Sequence, residues 1–278
     1  MGYTPELSGA AVVCGAGSGI GRAVAITLAR RGISYLTCGD IDLEKAEETL
    51  ELAARATDPD KTLFIGRAVQ VDIRSELDVE AFFSVARNLS PRIDICVNTA
   101  GVAGSLISNM PIDEYRAQVE VHNIGGFLFL RTALRTLLVQ GLQVPEGGKF
   151  PTRGSIVMLT SLASEGAFKG VGNYTAAKWA IKGLVQTAAI ENAREGIRVN
   201  AVAPSYVSGP MIKASFKEIE GLEDQTISDL PIPRLVTAEE VAESVLFLAS
   251  GRSGYVNGHT LVMDGGASLQ LANQPFTD

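Results

Sequence analysis

The hydrophobic positions of the chain form two kinds of segment that alternate along its length. Short apolar runs alternate with longer segments in which apolar residues recur at helical spacing. This alternation predicts strand–helix units around a parallel sheet. The predicted strands are Ala10–Cys14, Ser34–Cys38, Leu63–Val71, Ile93–Asn98, Ser155–Thr160, Arg198–Ala203 and Thr260–Met263. The predicted helices are Gly19–Arg31, Leu43–Ala56, Ser75–Leu89, Ile112–Gln140, Tyr174–Glu195 and Ala238–Ser250.

The mostly short connections predict an α/β fold with a single doubly wound, Rossmann-type domain over residues 1–278. Its seven-stranded parallel sheet would carry helices on both faces. Gly141–Arg153, with two prolines and three glycines, predicts a surface excursion. Residues 205–230 leave the carboxyl end of a strand, where ligands bind in such sheets, so they predict either a substrate lid or a satellite helix over its own small core. Residues 268–278 are predicted to form a C-terminal tail.

Composition narrows the function classes. The apolar share of 46% and the charged share of 20% are typical of a globular protein. A net charge of −7, without a basic stripe, argues against nucleic-acid binding. No apolar run is long enough to span a membrane and no secretory signal is visible, so we expect a soluble, cytoplasmic protein. Cys14, Cys38 and Cys96 lie far apart in apolar segments, which predicts buried free thiols and no metal site, and His122 and His259 are interpreted as structural.

A glycine-rich segment joins the first predicted strand to the first helix. It runs Gly15-Ala16-Gly17-Ser18-Gly19-Ile20-Gly21. Glycines let the backbone N–H groups approach a pyrophosphate, and the helix N-terminus adds unpaired donors and a favourable dipole. The position between a first strand and a helix indicates a dinucleotide-binding loop.

Asp40, at the end of the second strand, is the candidate residue for binding the adenosine ribose. It follows the last glycine of the loop by about twenty residues, the spacing at which a carboxylate accepts both ribose hydroxyls. The same carboxylate would repel a 2′-phosphate, and the nearest base, Arg22, also suits an ordinary helix position. The sequence therefore favours NAD over NADP as the cofactor.

Tyr174 and Lys178 lie four residues apart on a predicted helix and so share one face. A free tyrosine is too weak an acid to work as a base near neutral pH, and a nearby ammonium would lower its pKa. Ser161, thirteen residues earlier at the end of a strand, could orient a substrate carbonyl or alcohol. These three residues predict a proton-transfer site.

Further motifs continue this pattern along the chain. Asn98-Thr99-Ala100-Gly101 and Asn123 follow the fourth strand, and Tyr174-Thr175-Ala176-Ala177-Lys178 forms the helical motif. Near the end stand Arg198-Val199-Asn200-Ala201-Val202-Ala203-Pro204 and Val262-Met263-Asp264-Gly265-Gly266. Together with the glycine loop, Asp40 and Ser161, they resemble the short-chain dehydrogenase/reductase family over about residues 8–267.

The resemblance implies a role for each matching residue. Tyr174 would be the general acid/base, Lys178 its electrostatic partner and ribose ligand, and Ser161 the substrate-orienting hydroxyl. Asn123 would hold a water that links Lys178 to solvent. Asp72 would contact the adenine through the loop after the third strand. The remaining implied cofactor contacts are Ser18, Ile20, Ile41, Ile73, Asn98, Ala100, Gly101, Pro204 and Val207.

Four positions depart from the family pattern. Cys14 replaces a usual threonine before the first glycine, and Thr99 replaces the second asparagine of the usual Asn-Asn-Ala-Gly. Ser205 replaces a glycine after Pro204. Gly209 stands where a threonine commonly holds the nicotinamide carboxamide, and Ser208 would take over that contact. These departures concern nicotinamide-side contacts and leave the proton-transfer set intact.

The predicted function is hydride transfer between NAD and a secondary alcohol or ketone. The apolar residues of 205–230 suggest a bulky hydrophobic substrate, such as a steroid-like or secondary-metabolite alcohol. The alternatives are an NADPH-dependent ketoreductase, an isomerase or lyase on the same scaffold, and a non-catalytic cofactor-binding protein. Apolar residues on more than one face of helices Ile112–Gln140 and Tyr174–Glu195, together with the resemblance, predict a homotetramer or homodimer.

Overall fold

A computed structural model describes residues 7–58, 63–103, 107–217 and 220–270. Its seven strands form one parallel sheet in the order β3-β2-β1-β4-β5-β6-β7, which confirms the predicted α/β Rossmann-type fold. The strands are β1 Ala10–Cys14, β2 Tyr35–Asp40, β3 Ile65–Gln70, β4 Ile95–Asn98, β5 Gly154–Leu159, β6 Ile197–Pro204 and β7 Thr260–Met263.

Helices cover both faces of the sheet. Along β1, Ala11 and Val13 belong to one apolar cluster and Val12 and Cys14 to the other, because successive strand residues point to opposite faces. The first cluster is closed by α1, α2 and α9, and the second by α3, α5 and α6. The helices are α1 Gly19–Arg30, α2 Leu43–Arg55, α3 Glu76–Leu89, α4 Ile112–Gln118, α5 Gly125–Leu138, α6 Gly172–Asn192, α7 Pro210–Lys217, α8 Leu222–Ser228 and α9 Ala238–Ala249.

The helix predicted over Ile112–Gln140 is interrupted in its middle. Between α4 and α5, residues Val119–Ile124 form a π-helix, whose wider turn the apolar spacing does not reveal. Asn123, a predicted site residue, lies within it. Elsewhere the differences are at element ends: β2 extends to Asp40, and α6 begins at Gly172 and passes into a short 3₁₀ turn after Asn192.

The Gly141–Arg153 excursion is tied to the sheet at the amino ends of its strands. Gln143 and Thr152 pair as an isolated antiparallel bridge. The Arg92 guanidinium donates to the carbonyl oxygens of Gly141, Thr152 and Arg153, and its Nε donates to Asp94. Arg92 therefore fixes this segment at the edge of the sheet formed by the amino ends of the strands, opposite to their carboxyl ends.

The region predicted as a lid contains two short helices, α7 and α8. Phe216 of α7 and Leu230 after α8 are buried, which gives this region apolar packing of its own. Whether it moves over a substrate remains a prediction, and the tail beyond residue 270 lies outside the described residues. Cys14, Cys38 and Cys96 are buried and free, as predicted, and within the described ranges no helix is long and apolar enough to cross a membrane.

Candidate active site

The strand order reverses between β1 and β4, which are neighbours in the sheet although β2 and β3 follow β1 in the chain. In such a sheet, ligands bind outside the carboxyl ends of the strands at this reversal. The register pairs Cys14 with Asn98, so the glycine loop and the segment that begins at Thr99 leave the sheet side by side. Ser161 follows the end of β5 on the same edge.

The glycine loop is shaped as an open cradle for phosphate. Gly15 has a φ of 79°, and a Cβ there would lie 2.6 Å from the backbone nitrogen of Ala100. Gly19 also has a positive φ, of 49°, but a Cβ there would meet nothing within 4 Å. The Ser18 side chain forms no cap hydrogen bond at the start of α1. The N-terminus of α1 is thus left without a side-chain cap, and the loop fits a pyrophosphate.

A hydroxyl group from β4 holds the loop in place. Thr99 Oγ1 lies 2.8 Å from the carbonyl oxygen of Cys14 and 3.1 Å from that of Gly15. Thr99, which departs from the family pattern as Cys14 does, therefore ties the segment after β4 to the start of the glycine loop.

Asp40 lies directly beside the loop. Its Oδ2 accepts a hydrogen bond of 2.8 Å from the Gly17 nitrogen, and its Oδ1 accepts one of 3.1 Å from the Asp42 nitrogen. Arg22, the nearby base, donates to the Gly17 carbonyl at 2.7 Å and pairs with Glu48 at 2.6 Å. Lys45 pairs with Asp42 at 2.6 Å. The carboxylate therefore lies against the glycine loop, while both nearby cations are paired with other carboxylates.

The other implied cofactor residues occupy the same edge in different ways. Asp72 forms hydrogen bonds to Arg74, which lower its carboxyl pKa. Ile73 is buried against Gly125 of α5, whereas Ile41 is exposed. The Asn98 side chain is buried and accepts from the nitrogen of Ala100. Pro204 ends β6, and Val207 pairs with Val236 as an isolated parallel bridge.

Ser161, Tyr174 and Lys178 come together as the sequence predicts. Ser161 begins a 3₁₀ turn and its Oγ accepts from the Ala163 nitrogen at 3.2 Å. The Ser161 hydroxyl lies close enough to the Tyr174 phenol to lower the pKa of that phenol. Lys178 is only 4% exposed; its Nζ donates to the Leu159 carbonyl at 3.1 Å and lies 5.3 Å from the centre of the Tyr174 ring.

The electrostatics differ from the expectation in one respect. Burial raises the pKa of Tyr174, although the Ser161 hydrogen bond opposes this, and the ammonium does not produce the expected lowering. Burial also lowers the pKa of Lys178 to about 7. Because both groups lie in a low-dielectric environment, each disfavours its own charged form, so near neutral pH the phenol is protonated and Lys178 is close to the midpoint of its own titration.

The buried lysine has a testable consequence for stability. The pKa of Lys178 is lower in the folded than in the unfolded chain. The free-energy penalty for burying the ammonium is therefore fully present below the folded-state pKa. It declines as the pH rises from the folded-state to the unfolded-state pKa and is absent above the latter. We expect Lys178→Met to increase the free energy of unfolding by about 3 kcal/mol near pH 6. Denaturant titrations across pH check this, and a gain that does not shrink towards about pH 10 would contradict it.

Two polar residues of the π-helix lie next to this group. Asn123, predicted to hold a water, has an Oδ1 that is buried and without a hydrogen-bond partner among the described residues. An unsatisfied buried acceptor fits a water site. His122 was interpreted as structural, but its ring contacts the Tyr174 ring edge to face, with centroids 5.6 Å apart. The sequence signal that could have indicated it is its position beside Asn123.

Other groups do not join this site. His259 is exposed and Trp179, on α6 next to Lys178, is half exposed with its Nε1 3.4 Å from the Gly166 carbonyl. Across the described ranges, His, Cys, Asp and Glu side chains form no group of three that could hold a metal ion. Ser161, Tyr174 and Lys178 therefore remain the candidate group for proton transfer.

Comparisons with known proteins agree with this geometry. A family model described as enoyl-(acyl carrier protein) reductase matches residues 15–268. The short-chain dehydrogenase RED2 of Pyricularia oryzae is 39% identical, over 94% of this chain and 97% of its own length. The mitochondrial borneol dehydrogenase of Lavandula x intermedia is 32% identical, over 93% and 90%. The crystal structure of levodione reductase superposes with a TM-score of 0.83 at 29% identity, covering 96% of this chain and 99% of that one.

Proposed function

The chain belongs to the short-chain dehydrogenase/reductase family, and we propose that it interconverts a secondary alcohol and a ketone with NAD as the cofactor. The observation that carries this proposal is the burial of Lys178 with its Nζ 5.3 Å from the centre of the Tyr174 ring, next to Ser161. Burying an ammonium destabilises a fold, and a proton-transfer role gives a reason to keep it there. The glycine loop opens on the same edge of the sheet.

The side chains divide the proton chemistry between them. In ketone reduction the Tyr174 phenol donates its proton to the carbonyl oxygen, and in alcohol oxidation the same oxygen, once deprotonated, takes the hydroxyl proton. The Ser161 hydroxyl donates to the substrate oxygen and fixes its position. Lys178 exchanges a proton with Tyr174, and a water held by Asn123 would connect it to solvent. When bound, the nicotinamide ring supplies or accepts the hydride.

The choice of NAD rests on the surroundings of Asp40. Its carboxylate is held by the Gly17 and Asp42 nitrogens beside the loop, and there it would accept from ribose hydroxyls and repel a phosphate. Arg22 and Lys45, which could neutralise a 2′-phosphate, are paired with Glu48 and Asp42. The NADPH-dependent alternative would need one of these ion pairs to break.

The substrate we propose is a bulky hydrophobic alcohol. Large apolar side chains are partly exposed on the segments that follow β4, β5 and β6, namely Ile107, Phe168 and Met211. Tyr206 lies after β6, and partial burial together with Asp229 raises its pKa, so it stays a neutral phenol. Borneol, named in a relative, is a bicyclic secondary alcohol, and levodione, named in a structural neighbour, is a cyclic diketone. Apolar side chains on these segments suit the binding of ring compounds of that size.

Turnover with a graded set of substrates tests the proposal. Secondary alcohols from 2-propanol to bicyclic terpenols are incubated with NAD, and the corresponding ketones with NADH, while the absorbance of NADH is followed. We expect turnover that rises with the apolar size of the substrate. No turnover of any alcohol or ketone with either nicotinamide cofactor would contradict the function.

We also propose that the chain is a homotetramer or homodimer in the cytoplasm. Exposed apolar residues remain on the outer sides of the π-helix, α5 and α6, namely Ile124, Phe127 and Ile190. Burying these faces against a second copy would remove them from water. Light scattering at micromolar concentration should give the mass of a dimer or tetramer, and a monomer only would contradict this.

A further inference from the structure

The segment after β4 connects the two halves of the site. Its start lies against the glycine loop, since a Cβ at Gly15 would be 2.6 Å from the Ala100 nitrogen. Further along, the Ile107 side chain packs against Gly172, two residues before Tyr174. A displacement of this segment would therefore alter both the cofactor cradle and the start of the helix that carries the phenol.

Two buried polar side chains, one helical turn apart, bind the backbone of this segment. Gln118 Nε2 donates to the carbonyl oxygen of Ala103. His122 Nε2 lies 3.2 Å from both the nitrogen and the carbonyl oxygen of Val102, so either neutral tautomer finds a backbone partner there. Gln118 is 3% exposed and His122 is 2% exposed. Two successive residues of the segment are thus held by one helix face.

The imidazole fits this place closely. A Cβ at Gly101 would lie 2.6 Å from His122 Cε1, so glycine is needed for the ring to lie on the backbone. On its other side the ring meets Tyr174 at an interplanar angle of 85°. The titratable groups that face it are Tyr174 and Lys178, and burial, with a contribution from Lys178, lowers its pKa to about 3. His122 is therefore neutral at working pH and acts through shape and hydrogen bonding.

Core packing alone accounts poorly for these two residues. Apolar side chains could fill the same volume without removing an amide and an imidazole from water. Gln118 Oε1 is buried and has no hydrogen-bond partner among the described residues, so the amide is not optimised for stability. The pair also flanks the start of the π-helix Val119–Ile124, and such segments are frequent at functional sites.

We propose that Gln118 and His122 are positioning residues, which anchor the Gly101–Ala103 backbone and brace the Tyr174 ring so that cofactor cradle and proton donor keep a fixed separation. This inference rests on the proposed function. Neither residue exchanges a proton with substrate; both act through the segment and through Tyr174. Loss of the anchor should lower the rate of the chemical step more than it weakens substrate binding.

Three variants separate the parts of this proposal. Gln118→Leu removes the bond to Ala103, His122→Phe keeps a ring against Tyr174 but removes the bond to Val102, and His122→Gln keeps an amide able to reach Val102. We expect the first two to lower kcat by about 10- to 100-fold with the alcohol KM changed by less than about threefold, and His122→Gln to recover most of the loss. The isotope effect with deuterated alcohol should rise in both slow variants.

Hydrogen exchange provides a readout that does not need turnover. The peptide that covers 100–107 should exchange faster in Gln118→Leu and His122→Phe than in the parent, while peptides of α5 stay unchanged. The matched control is Thr132→Val, which removes a buried hydroxyl that donates to the Leu128 carbonyl within its own helix. It should leave kcat and the exchange of 100–107 unaltered even if it lowers the melting temperature.

The outcomes distinguish the two proposals. If the parent protein turns over alcohols and the variants keep its kcat and isotope effect, the positioning role is wrong. If exchange of 100–107 is unchanged in both variants, the anchoring is wrong as well. If the parent shows no nicotinamide-linked turnover but the segment exchanges faster in the variants, the anchoring stands and the proposed function fails.

Discussion

Tyr174→Phe is expected to lower kcat by about 10³-fold, because it removes the group that carries the substrate proton. The phenol lies next to Ser161, and the centre of its ring is 5.3 Å from Lys178 Nζ. The phenylalanine ring keeps the packing against His122, so the fold and the cradle should be retained. The measurement is kcat for alcohol oxidation together with the dissociation constant of NADH.

The NADH dissociation constant should change by less than about threefold in this variant, since the pyrophosphate and ribose contacts proposed here lie elsewhere. Tyr115→Phe is a matched control, because Tyr115 is an exposed tyrosine of α4 that lies outside the proposed site. Unchanged kcat in Tyr174→Phe would refute the mechanism and favour a cofactor-binding protein without this catalysis.

Asp40→Asn is expected to raise the ratio of kcat/KM with NADP to that with NAD by about 100-fold. The amide has the shape of the carboxylate and can still accept from the Gly17 nitrogen, so the substitution removes the charge at the loss of only the longer bond from the Asp42 nitrogen. Removing the charge abolishes repulsion of a 2′-phosphate and weakens the hydrogen bonds to the ribose hydroxyls. Arg22 and Lys45 then lie near enough to contribute, at the expense of their present ion pairs.

Glu44→Gln serves as the control for this experiment. Glu44 is an exposed carboxylate in the first turn of α2, so the substitution makes the same change in net charge near the site without touching the loop. Its cofactor ratio should stay within about threefold of the parent's. An Asp40→Asn variant with the parental ratio would show that Asp40 does not select the cofactor.

Local pattern was sufficient where function depends on consecutive residues. The glycine loop lies between β1 and α1 as predicted, and Asp40 ends β2 beside Gly17. Tyr174 and Lys178 share a helix face because their spacing is one turn, and Ser161 meets them because β5 ends there. These relations follow from element periodicity and from the rule that carboxyl ends of parallel strands form one edge.

Contacts between distant segments could not be predicted in the same way. The hydrogen bond from the Thr99 hydroxyl to the Cys14 carbonyl depends on the register of β1 and β4. The π-helix depends on a hydrogen-bond shift that leaves apolar spacing almost unchanged, and it sets the position of His122. Arg92, which holds the excursion, binds carbonyl oxygens, and these carry no residue-specific signal.

A direct titration tests whether a nicotinamide dinucleotide binds beside Tyr174 and is selected by Asp40. The chain has one tryptophan, Trp179, next to Lys178, so its fluorescence reports on this site. The protein is titrated with NADH and, separately, with NADPH, and the quenching of Trp179 is followed to saturation. We expect saturable binding of NADH and of NADPH, with a dissociation constant for NADH at least about tenfold lower than that for NADPH. Tighter binding of NADPH would contradict the role of Asp40, and no binding of either would contradict the proposed function as a whole.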